Sequence, residues 1–195
     1  MISMKELSNQ IQHILIEGNV GTFYHGSEHK ITSFNSEFLD GDGNHMYGPG
    51  IYFTSNPGEA AGYADKNGYV YEVNLNFRKE LNTIGKVNVN VLKRLMLNAP
   101  DEEAWTNWAE DKNTAIREAL RVTVESSDNM LEALLLIWGD WYRGQHISFT
   151  NELIKLGYDG TIYKNINNSG NNWAVVYNPA SIQLVKIIPS IEFYK

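Results

Sequence analysis

The sequence predicts an α+β fold, an antiparallel sheet whose two halves are separated in the chain by a block of helices. Two observations carry this. Residues 21–85 and 158–195 hold short runs rich in β-branched and aromatic residues between glycine-rich turns, such as YVYEVNLNF over Tyr69–Phe77. Residues 86–156 instead place apolar residues at helical spacing. Composition agrees with a globular chain: 195 residues, 43% hydrophobic and 20% charged, are enough to bury a core without staples. The expected organisation is one domain over residues 1–195 with a helical insertion at about 86–156.

Each element has its own signal. Ile11, Ile14 and Leu15 recur at helical spacing, which predicts an amphipathic helix over residues 1–20 rather than a signal peptide. GTFYHGS reads as a strand that ends in a tight turn at Gly26. GIYFT, after Gly-Pro-Gly, reads as a short strand. NPGEAAGYA reads as a helix capped by Ser55 or Asn56, with Pro57 in its first turn. VNVLKRLML, EEAWTNWAEDKNTAIREALRVTV, NMLEALLLIWGDWY and FTNELIKLG predict four helices, with Asp101 and Asp128 as N-caps and Gly157 as a stop. TIYKNI and WAVVYN predict a hairpin around NNSGNN, and SIQLVKII a final strand. Trp105, Trp108, Trp138, Trp141 and Tyr142 lie at helical spacing and are expected to pack as core of a lid or small bundle.

Several function classes are excluded or weakened. The chain has no Cys, so disulfides, thiolate metal sites and a Cys nucleophile are absent; a reducing, cytoplasmic setting is the expectation. A net charge of −7 weakens any case for broad electrostatic binding to nucleic acid. LEALLLIWGDWY is bracketed too tightly by Glu132 and Asp140 to span a membrane.

Two metal patterns are present and both are weak. His25, Glu28 and His29 match H-x-x-E-H, which requires a helix to bring both His onto one face. Gly26, Ser27 and the preceding GTFY favour a strand, so His29 is expected to be a surface residue. Asp40, Asp42 and Asn44 match the first positions of a calcium loop, but His45 replaces its Gly and Ile51 its Glu. A polar loop is the expectation, and no metal is.

One constellation coheres. YHGS, then MYGPGIYFTSNPGEAAGYA, then YVYEV, then WAVVYNPASI resembles the ADP-ribosyltransferase superfamily. The likeness is to its diphtheria-toxin and poly(ADP-ribose) polymerase branch, and to the ADP-ribosyltransferase domains of bacterial and phage polyvalent proteins. His25-Gly26-Ser27, Gly48-Pro49-Gly50-Ile51-Tyr52-Phe53, and Tyr63 eleven residues after Tyr52 match its motifs. The likeness covers about two-thirds of the chain.

The resemblance implies a split antiparallel sheet and NAD as co-substrate. It implies cleavage of the nicotinamide–ribose bond and transfer of ADP-ribose to a protein or nucleic acid. His25 would hydrogen-bond the adenosine ribose, and Tyr52 and Tyr63 would sandwich the cationic nicotinamide ring. The Gly26 backbone would hold the nicotinamide amide, with Ser27, Thr54 and Ser55 lining the pocket. A toxin or phage effector with an antitoxin partner is the setting such enzymes often have.

The branch is named for a His-Tyr-Glu triad, and here the chain departs from it. NNWAVVYNP holds no acidic residue. Counting back four from Tyr177 reaches Trp173; a one-residue bulge would reach Asn172. Asn172 can accept a hydrogen bond and is the expected third catalytic position, beside His25 and Tyr52, though it brings no charge. In the family a missing Glu goes with mono- rather than poly-transfer, or with loss of activity. Glu72, Glu152 and Asp159 are other acids, read as a strand-surface, a helix-face and a turn residue. The alternative function is therefore a silent module that binds NAD, ADP-ribose or a partner protein. The related RNA 2′-phosphotransferase would need clustered Arg and His, and the few Arg fall mostly in the helical region.

Overall fold

The computed structural model describes residues 19–40, 46–101, 103–164 and 170–194. The strands are β1 (Asn19–Ser27), β2 (Ile51–Thr54), β3 (Tyr69–Asn76), β4 (Gly160–Tyr163), β5 (Trp173–Val176) and β6 (Ile182–Pro189). They form one antiparallel sheet in the order β4-β5-β2-β1-β3-β6. The helices are α1 (Pro57–Ala64), α2 (Val89–Asn98), α3 (Glu103–Thr106), α4 (Lys112–Ser126), α5 (Met130–Tyr142) and α6 (His146–Lys155). The fold is α+β, with α2 to α6 lying between β3 and β4 in the chain.

The sheet is split. β1 pairs with β3 from Asn19–Asn76 to Ser27–Tyr69, and β2 pairs with β5 from Ile51–Val176 to Thr54–Trp173. The two halves join through the pair Tyr24–Thr54. Continued, that register would set Gly26 opposite Tyr52, but the strands part before that point.

Strand pleating gives the sheet two faces. One carries Phe23, Phe53, Tyr71, Val73, Ala174 and Val176, and is covered by the segment containing Ile31, Phe34 and the 3₁₀ turn Ser36–Asp40. On the other face, α1 packs Ala60, Ala61 and Ala64 against Val70 and Ile188. The remaining helices pack there against Tyr163, Val175 and Tyr177. Trp141 and Tyr142 are buried in that core, and the Tyr142 hydroxyl donates to Leu95 O (2.9 Å). Trp105, Trp108 and Trp138 are partly buried against it.

The helix termini follow from local chemistry. Asn56 caps α1, accepting from Gly58 N (2.8 Å) and Glu59 N (3.2 Å), and Pro57 occupies a first-turn position where no N–H is needed. α6 ends as a Schellman motif: Gly157 N donates to Ile154 O, Tyr158 N to Leu153 O, and Gly157 adopts φ +88°.

The structure corrects four expectations. β1 begins at Asn19, so the end of the predicted N-terminal helix is strand; residues 1–18 lie outside the described residues. β1 also runs straight through Gly26 to Ser27, with no turn there, because β3 offers ladder partners along its whole length. The second predicted helix is two helices, α3 and α4. Asp101 accepts from Glu103 N at the start of α3, and Asp111 caps α4 by accepting from Thr114 N (3.0 Å). Side-chain bonds of this kind compete with a continuous helix. Finally, Asn129 rather than Asp128 caps α5, and Glu132 reaches back to accept from Asp128 N and Asn129 Nδ2. Asp42, Asn44 and His45 of the calcium-like loop, and residues 165–169 of the predicted hairpin, lie outside the described residues.

Candidate functional site

Where the halves of the sheet part, aromatic side chains collect on the helix-covered face. Tyr52 and Trp173 come from the paired strands β2 and β5, and Tyr63 from α1. The Tyr52 ring lies 6.4 Å from Trp173 at 81°, and the Tyr63 ring 6.0 Å from Trp173 at 86°. Two phenol rings thus stand nearly perpendicular to one indole, an aromatic box whose ring faces suit a cation. Tyr47 and Tyr163 extend the cluster, with ring centroids 4.6 Å apart.

The two tyrosines of the box differ. Tyr52 is half-buried; its hydroxyl donates to Gly48 O (2.6 Å) and accepts from Tyr47 N (3.1 Å). Burial pushes its phenol far above the ordinary value, so it acts as a fixed neutral donor. Tyr63 is 61% exposed. Its phenol is also raised, first by desolvation and then by the Glu59 carboxylate one helical turn before it.

Gly26 lies beneath α1. A Cβ built there would stand 1.8 Å from Ala60 O and 3.0 Å from Ala64 N. Glycine is therefore required for strand and helix to touch at the split. Ser27 ends the strand, and its Oγ accepts from His29 N (3.2 Å). His29 is exposed. With residues 25–27 in a strand, the H-x-x-E-H residues do not share a helix face.

His25 is on the other face. Its ring sits 5.4 Å from Phe34 and from Phe53, and 6.2 Å from Tyr71. Nδ1 is 2.8 Å from Tyr52 O. A carbonyl only accepts, so Nδ1 carries the proton and Nε2 the lone pair. Desolvation lowers the imidazole pKa, which the bond to Tyr52 O only partly offsets, and this favours the neutral ring. The structure thus ties His25 to Tyr52 through the backbone but keeps its ring away from the aromatic box.

Thr54, Ser55 and Asn172 close one end of the box. Ser55 N donates to Asn172 O (2.8 Å), and Asn172 N to Ser55 Oγ (2.8 Å), extending the β2–β5 ladder. The ladder is unbulged from Ile51–Val176 to Thr54–Trp173, which places Trp173 on the face of Tyr52. Thr54 is buried, and its hydroxyl donates to Glu59 Oε2 (2.5 Å). Asn171 Nδ2 lies 3.5 Å from the same oxygen.

The acids named from sequence lie elsewhere. Asp159 is buried behind the far end of β5, where Arg78 N (2.8 Å) and Asn178 Nδ2 (2.7 Å) donate to it. Burial opposes its ionisation, but the bonds from Arg78 and Asn178 outweigh that and hold its pKa below the ordinary value. Glu152 is buried in the helical block and bonded to Asn98 and Lys155. Glu72 lies in β3, between Tyr24 and Lys186 in the ladders. Sequence reasoning passed over Glu59, Tyr47 and Tyr163. The cue for Glu59 was its position one turn before Tyr63; nothing local marked the other two. A separate open groove of about 820 Å³, lined by Val89, Lys93, Leu97, Ile116 and Arg121, lies between α2 and α4.

The model of the family described as "ADP-Ribosyltransferase in polyvalent proteins" matches residues 16–186. No curated protein and no solved structure matches the chain.

Proposed function

The chain belongs to the family of ADP-ribosyltransferases in polyvalent proteins, and from that premise we propose that it is an NAD-dependent mono-ADP-ribosyltransferase. The observation that carries this reading is the aromatic box of Tyr52, Tyr63 and Trp173 at the mouth of the split sheet. Nicotinamide in NAD is a flat cation, and it becomes neutral as it leaves. An aromatic enclosure that binds the cation helps to collect the co-substrate.

In this reading Tyr52 and Tyr63 flank the nicotinamide ring. The Gly26 backbone, on the strand edge that β2 leaves open, pairs with the amide, and Ser27, Thr54 and Ser55 complete the wall. The His25 Nε2 lone pair accepts from a hydroxyl of the adenosine ribose. Asn172 holds a ribose hydroxyl through its amide oxygen. The ADP-ribose passes to a protein or nucleic-acid acceptor. Neither Asn172 nor Trp173, the two candidates for the triad's third position, is acidic, which argues for single transfers rather than chain growth. The whole chain, 1–195, acts as one such domain, and its setting is the cytoplasm, as a toxin or phage effector that an antitoxin would restrain. Among the described residues no helix is long and apolar enough to cross a membrane.

The test is nicotinamide release from NAD by purified protein, since a competent site leaks ADP-ribose to water. Release is expected to fall at least tenfold in Tyr52→Ala, and NAD binding to weaken in both Tyr52→Ala and His25→Ala while His29→Ala binds normally. NAD-dependent thermal stabilisation without release would favour the silent binding module, a reading that the absence of an acid from β5 keeps open. If the protein shows no release and no stabilisation, the proposal is overturned.

A further inference from the structure

β5 carries no acid, yet the structure brings a carboxylate to the start of that strand from another element. Glu59 lies in the first turn of α1. Its Oε2 accepts from the Thr54 hydroxyl, on the residue paired with Trp173 across the β2–β5 ladder. Asn171, two residues before Trp173, reaches the same oxygen. One turn later on α1 stands Tyr63, whose ring touches Trp173. The carboxylate is thus bonded to the residue that faces the start of β5 and to one just before it, and Glu59 is half-buried.

We propose that Glu59 is the catalytic carboxylate of this site, replacing from α1 the acid that β5 lacks. The inference rests on the transferase reading above. As the C1′–N bond breaks, its electron pair leaves with nicotinamide and positive charge passes to C1′ and the ring oxygen of the ribose. Glu59 faces that charge and stabilises it. Water or the acceptor then forms a bond to C1′, and the proton it loses passes to Glu59 and on to solvent. The Thr54 and Asn171 contacts both fall on Oε2. Among the described residues, Oε1 is the oxygen left to receive that proton.

The arrangement also accounts for two other features. Thr54 is a buried hydroxyl whose donor bond is used on Glu59, so besides completing the wall it orients the carboxylate. The Asn56 cap bonds Glu59 N as well as Gly58 N, which fixes the backbone from which the carboxylate projects.

Glu59→Gln keeps the volume and the oxygen that Thr54 needs but removes the charge. The expected result is a loss of about 10²-fold or more in kcat for nicotinamide release, with KM for NAD within about threefold and an unchanged melting temperature. Glu59→Asp should recover part of the loss, and Glu72→Gln, outside the site, should release at the unsubstituted rate. If Glu59→Gln releases nicotinamide at the unsubstituted rate, this assignment is overturned while the transferase reading stands. A rise in KM with unchanged kcat also overturns it, since Glu59 would then only help to bind. No release by the unsubstituted protein overturns both.

Discussion

Gly26 marks a place where a side chain is not tolerated, but the chain does not turn there. What approaches is the chain itself, the backbone of Ala60 and Ala64 in α1. That contact spans more than thirty residues and leaves no local pattern. Gly26→Ala should therefore destabilise the protein by about 1–3 kcal/mol, because backbone must move to admit the methyl. It should also weaken NAD binding, since α1 carries Tyr63. Gly62→Ala, also in α1 but with no atom within 4 Å of the new Cβ, should be neutral or stabilising by about 0.5–1 kcal/mol. Thermal melts of the two variants check the contrast; equal melting temperatures would show that the strand and helix are not in contact at Gly26. Glu59 is illegible in the sequence for a related reason: the family's triad carries its acid on a strand, whereas Glu59 reaches the start of β5 from a helix, at an ordinary helix-surface spacing.

Among elements, those with strong internal periodicity were legible and those defined by competition were not. β2, β3, β6 and α1 stand within a residue or two of their predicted bounds, since alternation and capping chemistry are local. The break between α3 and α4 was missed because the apolar spacing continues across it while Asp111 diverts the backbone into a new cap. The exits of the strands depend on a longer-range device. Asp159 accepts through its side chain from Arg78 N and Asn178, through its carbonyl from Tyr177 N and Asn178 N, and donates its N–H to Lys79 O. One buried residue thus joins the segments that follow β3 and β5 to the start of β4. Asp159→Ala should cost about 2–4 kcal/mol in chemical denaturation, because it strands buried donors. Arg78→Ala should cost far less, since its guanidinium is 78% exposed and the backbone N–H bond survives. The reverse order would mean that the ion pair, not the buried donors, holds the junction.

At the scale of the molecule, the fold class was legible from the strands–helices–strands order, but the strand order β4-β5-β2-β1-β3-β6 was not, because pairing across the chain leaves no trace in local periodicity. The split follows from that topology. β2, sequence neighbour of β1, belongs to the half completed by β4 and β5, so the two halves meet through one residue pair. His25 lies beside that pair with its ring in an aromatic layer of the opposite face, and this links the junction to pH. Its pKa is lowered in the folded protein, chiefly by desolvation. Between the unfolded value of 6.5 and the lowered folded value, the unfolded chain binds more protons than the native one. The stabilisation is therefore complete above that upper value and is lost as pH falls through the folded one. The melting temperature should decline as pH is lowered from 7 toward 5, and less steeply in His25→Gln, which cannot titrate. Because the same ring donates to Tyr52 O, NAD binding should hold until pH falls through the lowered folded value, where protonation converts Nε2 from acceptor to donor. Parallel pH profiles for the two proteins would show that the imidazole is solvated in solution, and that the aromatic layer around it does not exclude water.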